Sequence, residues 1–254
     1  MSIHPAAPFR RALELWRGDR ALLLPVAGLF MFVPQWAVLM LVPDMPRAVP
    51  PDADDAALRA WTEAVVTWAG QHGPWYLLAP ALALAGSLAI MALYLDPARP
   101  SLGGALRRAA LLFLRYLLAS ILVALPAGAL LMPALASPLL LVAVLAPIFY
   151  LFGRTMLAGP VIVAEAPVGA VAAVARSWRL TTGHGWVLAA CYGAIMLGAQ
   201  MVGGLFLQLG EAGGANPVIR ALTDGLAAAA TATAALTLVL VEVALYRRLA
   251  SSGT

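Results

Sequence analysis

The chain of 254 residues is 63% hydrophobic and only 11% charged, with a mean hydropathy of +0.89. A soluble domain of this length holds about 25% charged residues, so too few polar side chains exist here to clothe a water-facing surface. The net charge of +4 comes from arginine without any lysine, and the arginines punctuate the ends of apolar segments instead of pooling, which argues against nucleic-acid binding and for a membrane surface.

Taken in chain order, Arg10 and Arg11 precede an apolar stretch that runs to about Pro43. It is too long for a signal-peptide core and ends without a small-x-small cleavage site, so it reads as a first span. Five further segments reach the roughly 20 apolar residues a spanning helix needs. The six cover about 21–43, 74–95, 116–136, 138–159, 185–209 and 221–246. Only Ala136, Ser137 and Pro138 divide the third from the fourth, which predicts a tight helical hairpin. Backbone groups in hydrocarbon must bond within their own segment, and alternation of period two is absent, so helices are expected and a barrel is not. The expected fold class is all-α, a polytopic membrane bundle of six transmembrane helices with three cytoplasmic interfacial amphipathic helices, forming one membrane domain over 1–254. Prolines 25, 34, 80, 126, 133 and 147 fall inside spans and remove backbone donors there.

Orientation follows from the arginines. Thirteen fall on the side of the two termini: Arg10, Arg11, Arg17, Arg20, Arg99, Arg107, Arg108, Arg115, Arg154, Arg176, Arg179, Arg247 and Arg248. Arg47, Arg59 and Arg220 fall opposite, among most of the acidic residues. This places both termini in the cytoplasm. The alanine-rich, lysine-free composition suits a GC-rich bacterium, hence a bacterial inner membrane. The longest outer segment, 44–73, starts as a Pro-rich acidic loop and continues as a short helix expected to lie along the outer face. Asp52, Asp54 and Asp55 within it suit either a cation site or a solvated helix N-terminus.

Three segments on the arginine side each precede a helical hairpin. In the first, Phe9, Ala12, Leu13 and Trp16 share one arc, and Arg10, Arg11, Glu14 and Arg17 the other. In the second, Leu102, Leu106, Ala109 and Phe113 oppose Arg107, Arg108 and Arg115, with Ser101 placed as N-cap. In the third, Val171, Val174 and Trp178 line up against Arg176 and Arg179, and Leu180 falls among the arginines. All three suit helices lying in the interface with arginines toward anionic lipid headgroups. Gly183 is expected to stop the third helix and Gly18 the first, while Trp186 anchors the next span. A threefold repeat over 5–95, 100–159 and 165–246 follows, the first copy being lengthened by the outer loop.

The run Ala175, Arg176, Ser177, Trp178, Leu180, Thr181, Gly183 and Trp186, with the upstream segment 152–165, resembles the membrane domain of the glycerophosphoryl diester phosphodiesterase membrane domain family and related uncharacterised bacterial six-span proteins. The resemblance implies a six-span helical domain. It implies no catalytic residue here, because in that family the chemistry belongs to a separate soluble barrel of about 250 residues, for which this chain has no room.

Nucleophile, phosphate-loop and paired-cysteine zinc motifs are absent, so no cofactor is expected. His184 reads as a polar cap at a helix end or, alternatively, a general base. Gly193, Gly198, Gly203 and Gly204 favour close helix packing in span five. Ionisable groups inside spans are the leading site candidates. Arg154 and Glu242 lie near the inner ends of spans four and six. They would snorkel to the interface, with Glu242 meeting Arg247 or Arg248, or pair with one another, or Arg154 would hold a lipid phosphate. The candidate headgroup or structural set is Arg154, Glu242, Arg176, Ser177, Trp178, Arg179, Thr181, Gly183 and Trp186. The expected function is a non-enzymatic integral membrane protein that organises lipid or binds a membrane protein partner. A small-molecule or lipid transporter is the alternative, but it needs a polar midplane cavity, and the deep polar residues are few: Gln35, Gln200, Gln208, Thr231, Thr233 and Thr237.

Overall fold

The computed structural model describes residues 6–50, 53–98, 100–134, 137–214 and 216–251. Asp52, Arg99 and Ala136, used above, lie outside them. Among the described residues all regular structure is helical: α1 (Ala6–Ala27), α2 (Val33–Leu41), α3 (Asp55–Leu95), α4 (Leu102–Ala134), α5 (Pro138–Thr155), α6 (Ala158–Ala164), α7 (Ala170–Leu180), α8 (Gly185–Ala212) and α9 (Pro217–Ser251). A π-helical segment, Gly28–Phe32, joins α1 to α2. Six helical stretches are long and apolar enough to cross a membrane, each containing one predicted span or most of it.

The π segment has a local cause. Pro34 has no N–H to return to the carbonyl four residues back, and the Val33 N–H reaches back to Gly28 O instead. The widened turn pushes Phe30 against Gly86 of α3, where a Cβ would lie 2.6 Å from Phe30 Cβ. Span one therefore enters the bundle through a bulge instead of a simple kink. It docks on α9, where Trp36 Nε1 donates to Ala221 O at 3.2 Å.

Several expectations are corrected. The outer helix does not lie flat: residues 55–95 form one helix of 41 residues. That is about 60 Å at 1.5 Å per residue, against a hydrocarbon thickness of about 30 Å. The loop before it lies along the protruding half, with Trp61 Nε1 donating to Pro46 O and Trp68 Nε1 to Pro43 O. Asp54 caps the N-terminus, accepting from Ala57 N at 2.7 Å. Residues 102–115 likewise form no separate surface helix but open the 33-residue α4, with Ser101 Oγ accepting from Gly104 N. Their apolar stripe of Leu102, Leu106, Ala109 and Phe113 packs on the bundle core instead of on lipid. The first segment and span one are two helices that meet, as expected, at a kink, at Asp19 (φ −119°, ψ 21°), one residue past the expected position, so Gly18 itself is not the stop. Gly183 is, at φ +83°, a backbone region that glycine enters without a Cβ clash.

Span four was expected to run straight to residue 159. It breaks instead at Met156–Leu157, and the short α6 turns inward, every residue from Ala158 to Val163 being buried. A Cβ on Gly159 would lie 2.8 Å from Met91 Sδ and 2.9 Å from Tyr116 Cε2, so α6 fits between α3 and α4 because residue 159 has no side chain. Of the four glycines assigned to packing in span five, Gly193 meets Phe149 closely and Gly203 approaches Ala227, while Gly198 and Gly204 face open space.

The arginine-rich segments gather at one end of the bundle. There Tyr94, ending α3, donates from its hydroxyl to Asp19 Oδ2, and Arg247 of α9 donates to Tyr94 O. Arg108 pairs with Asp96 at 3.4 Å. The start of α1 and the end of α9 therefore share this face, while Asp44 and Arg220 pair at the other.

Candidate functional site

At the arginine-rich face the segment 175–186 folds around Arg154. Arg154, the penultimate residue of α5, is 6% exposed, and its guanidinium packs under the C-terminal turn of α7. Nη2 donates to Trp178 O at 2.6 Å, with longer contacts to Thr182 Oγ1 and Tyr150 Oη. Its Cζ sits 4.6 Å from the Trp178 ring centroid and 5.8 Å from that of Tyr150. A cation at a helix C-terminus meets carbonyls left without partners, and a desolvated cation–π contact adds up to about 2 kcal/mol.

The hydroxyls complete the clamp from the other side. Ser177 Oγ donates to Arg154 O at 2.9 Å and accepts from Leu157 N at 3.1 Å, while Thr181 Oγ1 reaches Arg154 O at 3.1 Å. Ser177 thereby bonds one backbone acceptor and one backbone donor at the α5–α6 break. Ser177→Ala is expected to lower unfolding free energy by about 1–3 kcal/mol, the penalty for a buried donor left without a partner, as measured by thermal melts in detergent. Gly185 packs against Tyr150 and Arg154, and Trp186, 67% exposed, rests on Tyr150 at 4.8 Å.

This geometry revises several assignments. The buried face of α7 is Ala173, Ser177 and, just beyond, Thr181, while Val171 and Trp178 of the predicted apolar stripe stay exposed. Leu180 packs against the core. Arg179 is exposed, but Arg176 pairs with Glu165 at 3.2 Å, and Glu165 also accepts from Tyr246 Oη at 3.0 Å, joining α7 to α9. Arg154 and Glu242 do not pair, because Arg154 is turned to α7. Both residues are buried, each 6% exposed, and Glu242 forms no described ion pair with Arg247 or Arg248. His184 Nδ1 contacts Thr182 O, as a polar group at a helix boundary.

Glu242 instead faces a cavity of about 270 Å³ whose walls include Tyr116, Ser120, Phe152, Thr155 and Tyr192. Its Oε2 is sealed and without a hydrogen-bond partner. None of these wall residues was picked out from the sequence. The signal was present as hydroxyl-bearing aromatics inside apolar spans, but only the fold places Tyr116 of α4 and Tyr192 of α8 opposite one acid. The glutamines and threonines first considered for such a cavity are not in its walls, and Gln200, Gln208, Thr231 and Thr233 are exposed.

Two further concavities lie between α1 and α9. Arg11, Arg247 and Arg248, drawn from opposite ends of the chain, surround a cleft of about 290 Å³. A longer apolar groove of about 770 Å³ runs between Phe9, Leu13 and Trp16 of α1 and the small residues Ala229, Ala232 and Thr233 of α9. Both open on one stripe of α9, which passes from Ala232 through Leu236, Leu240 and Ala244 to Arg247 and Arg248.

Fold and sites together define a multi-pass helical membrane protein with a basic face and a buried acidic cavity. No protein-family profile, curated protein or solved structure matches the chain.

Proposed function

We propose that this is a non-enzymatic integral protein of a bacterial inner membrane that binds and organises anionic phospholipid at its cytoplasmic face. The observation that carries this is the cleft in which Arg11, Arg247 and Arg248 converge beside an apolar groove on the same stripe of α9. Guanidinium groups suit a lipid phosphate, and the groove, at hydrocarbon depth below them, suits an acyl chain. The net charge and the arginine distribution support the orientation, with the basic face toward the anionic leaflet. The resemblance of 175–186 to the phosphodiesterase-family membrane domain agrees with a membrane role that needs no catalytic centre.

Arg11→Gln/Arg248→Gln tests the reading while leaving the Arg247–Tyr94 contact in place. At about 1 kcal/mol per arginine, the pair contributes about 2 kcal/mol, so retention of phosphatidylglycerol over phosphatidylcholine falls roughly thirtyfold. Native mass spectrometry of protein released from mixed-lipid nanodiscs reads this directly, and unchanged retention rejects the reading. A second reading, transport of a small molecule or lipid, is favoured by one observation, the cavity at Glu242.

A further inference from the structure

Among the described residues, Glu242 is the buried carboxyl with an oxygen that is sealed and has no hydrogen-bond partner. Arg154, Ser177 and Thr181 face protein groups that bond to them. Glu242 is 94% buried by the same measure, its exposure being 6%. Its Oε2 has no partner, and no described ion pair includes it. A buried carboxyl in a span is costly without a partner, yet no donor is fitted to this one and its residue lines a cavity. The space, about 270 Å³, far exceeds the roughly 30 Å³ that one water occupies in the liquid, so it has room for an organic group.

The walls say which kind. Ser120 Oγ donates to Tyr116 O and Thr155 Oγ1 donates to Leu151 O. Their hydrogens are thus committed to their own helices, and their oxygens remain as acceptors. Phe152 and Tyr192 stack with centroids 5.1 Å apart and planes 7° from parallel. Tyr116 contributes a third aromatic group from α4. Among the described residues no arginine lines the cavity; Arg154, next to Thr155, turns its side chain to α7 instead. The cavity therefore offers a carboxyl, hydroxyl acceptors and aromatic groups, with only tyrosine hydroxyls left as donors. An anion would find no counter-charge there. A positively charged nitrogen would meet both the Glu242 carboxyl, which the cation's own charge would hold ionised, and π-systems, the combination that recognises ammonium groups. The remaining wall, including Leu84, Val123, Met156 and Leu238, is apolar and suits a hydrocarbon body.

We infer that Glu242, with Tyr116, Phe152 and Tyr192, forms an intramembrane binding site for an organic ammonium that carries an apolar body. The inference goes beyond anionic lipid at the basic face and does not depend on it. The two sites share no residue, and the Arg11→Gln/Arg248→Gln protein retains this one.

The probe is benzyltrimethylammonium, titrated into the purified full-length protein in detergent and followed by thermal shift and tyrosine fluorescence. Saturable binding of one equivalent is expected. Neopentylbenzene, its neutral isostere, and phenylacetate, an anion, bind about tenfold more weakly or worse. Glu242→Gln weakens the ammonium by a similar factor and leaves neopentylbenzene unchanged. Should Glu242→Gln fail to fold, the wild-type protein gives the answer. Dicyclohexylcarbodiimide modifies Glu242, located by peptide mass spectrometry, and saturating benzyltrimethylammonium prevents it. Absence of ammonium binding, equal binding of the neutral isostere, full affinity in Glu242→Gln, or modification at Glu242 that the ammonium leaves unaltered would each overturn the inference.

Discussion

Replacing Arg154 with leucine lowers the unfolding free energy by about 3 kcal/mol and the apparent Tm in detergent by roughly 10 °C. The charge-assisted bond to Trp178 O is worth about 1.5–3 kcal/mol, and stacking against Trp178 and Tyr150 adds to it. Leucine fills part of the space but leaves the end of α7 without its cation. Arg154→Lys recovers only part of the loss, since an ammonium keeps the charge and gives up the planar stack. Co-purifying anionic lipid stays at the wild-type level, because the guanidinium is committed to protein carbonyl and hydroxyl groups. An unchanged Tm together with depleted lipid would instead make Arg154 a headgroup ligand.

Gly153→Val has the second large effect. A Cβ there would lie 2.5 Å from Ala189 N and 2.8 Å from Leu188 C, both backbone atoms of α8. Backbone inside a helix cannot rotate aside as a side chain can, so α5 and α8 must separate and the Arg154 clamp opens with them. Overpacking usually costs about 1–3 kcal/mol, and a clash with main chain belongs at or above the top of that range. Fluorescence-detected size exclusion is expected to show little monodisperse protein. Gly198→Ala in the same α8 meets open space, and removing a helical glycine there adds about 0.5–1 kcal/mol of stability. Equal behaviour of the two variants would refute close α5–α8 packing.

The residues that announced their roles did so through local chemistry. Apolar run length located the six crossing segments, Gly183 marked its left-handed turn, and Asp54 and Ser101 sat where N-caps belong. What stayed hidden depended on partners distant in sequence. Nothing near residues 70–74 says that the outer helix continues into span two, because Gly70, Gly73 and Pro74 together carry the local signature of a helix end, yet α3 runs through them. The apolar stripe at 102–113 has the same periodicity whether it faces lipid or protein, and only its neighbours decide. Arg154 and Glu242 were legible as unusual charges in apolar surroundings. Their separate destinations, one to the end of α7 and one to a tyrosine-walled cavity, follow from which way α5 and α9 turn in the bundle. Ser177 and Thr181 stood out as polar residues in an apolar region, but the broken α5–α6 backbone they serve is visible only once the chain is folded.

The central claim is that six crossings leave both chain ends and the 175–186 turn on the cytoplasmic side, opposite the 44–50 loop and the α8–α9 turn. Single cysteines at Ala48, Glu211, Arg179 and Ser251, in a Cys191→Ser background, test it with a membrane-impermeant maleimide on intact cells. Positions 48 and 211 should label without permeabilisation, and positions 179 and 251 only after it. Labelling of positions 48 and 179 from the same side would contradict the account.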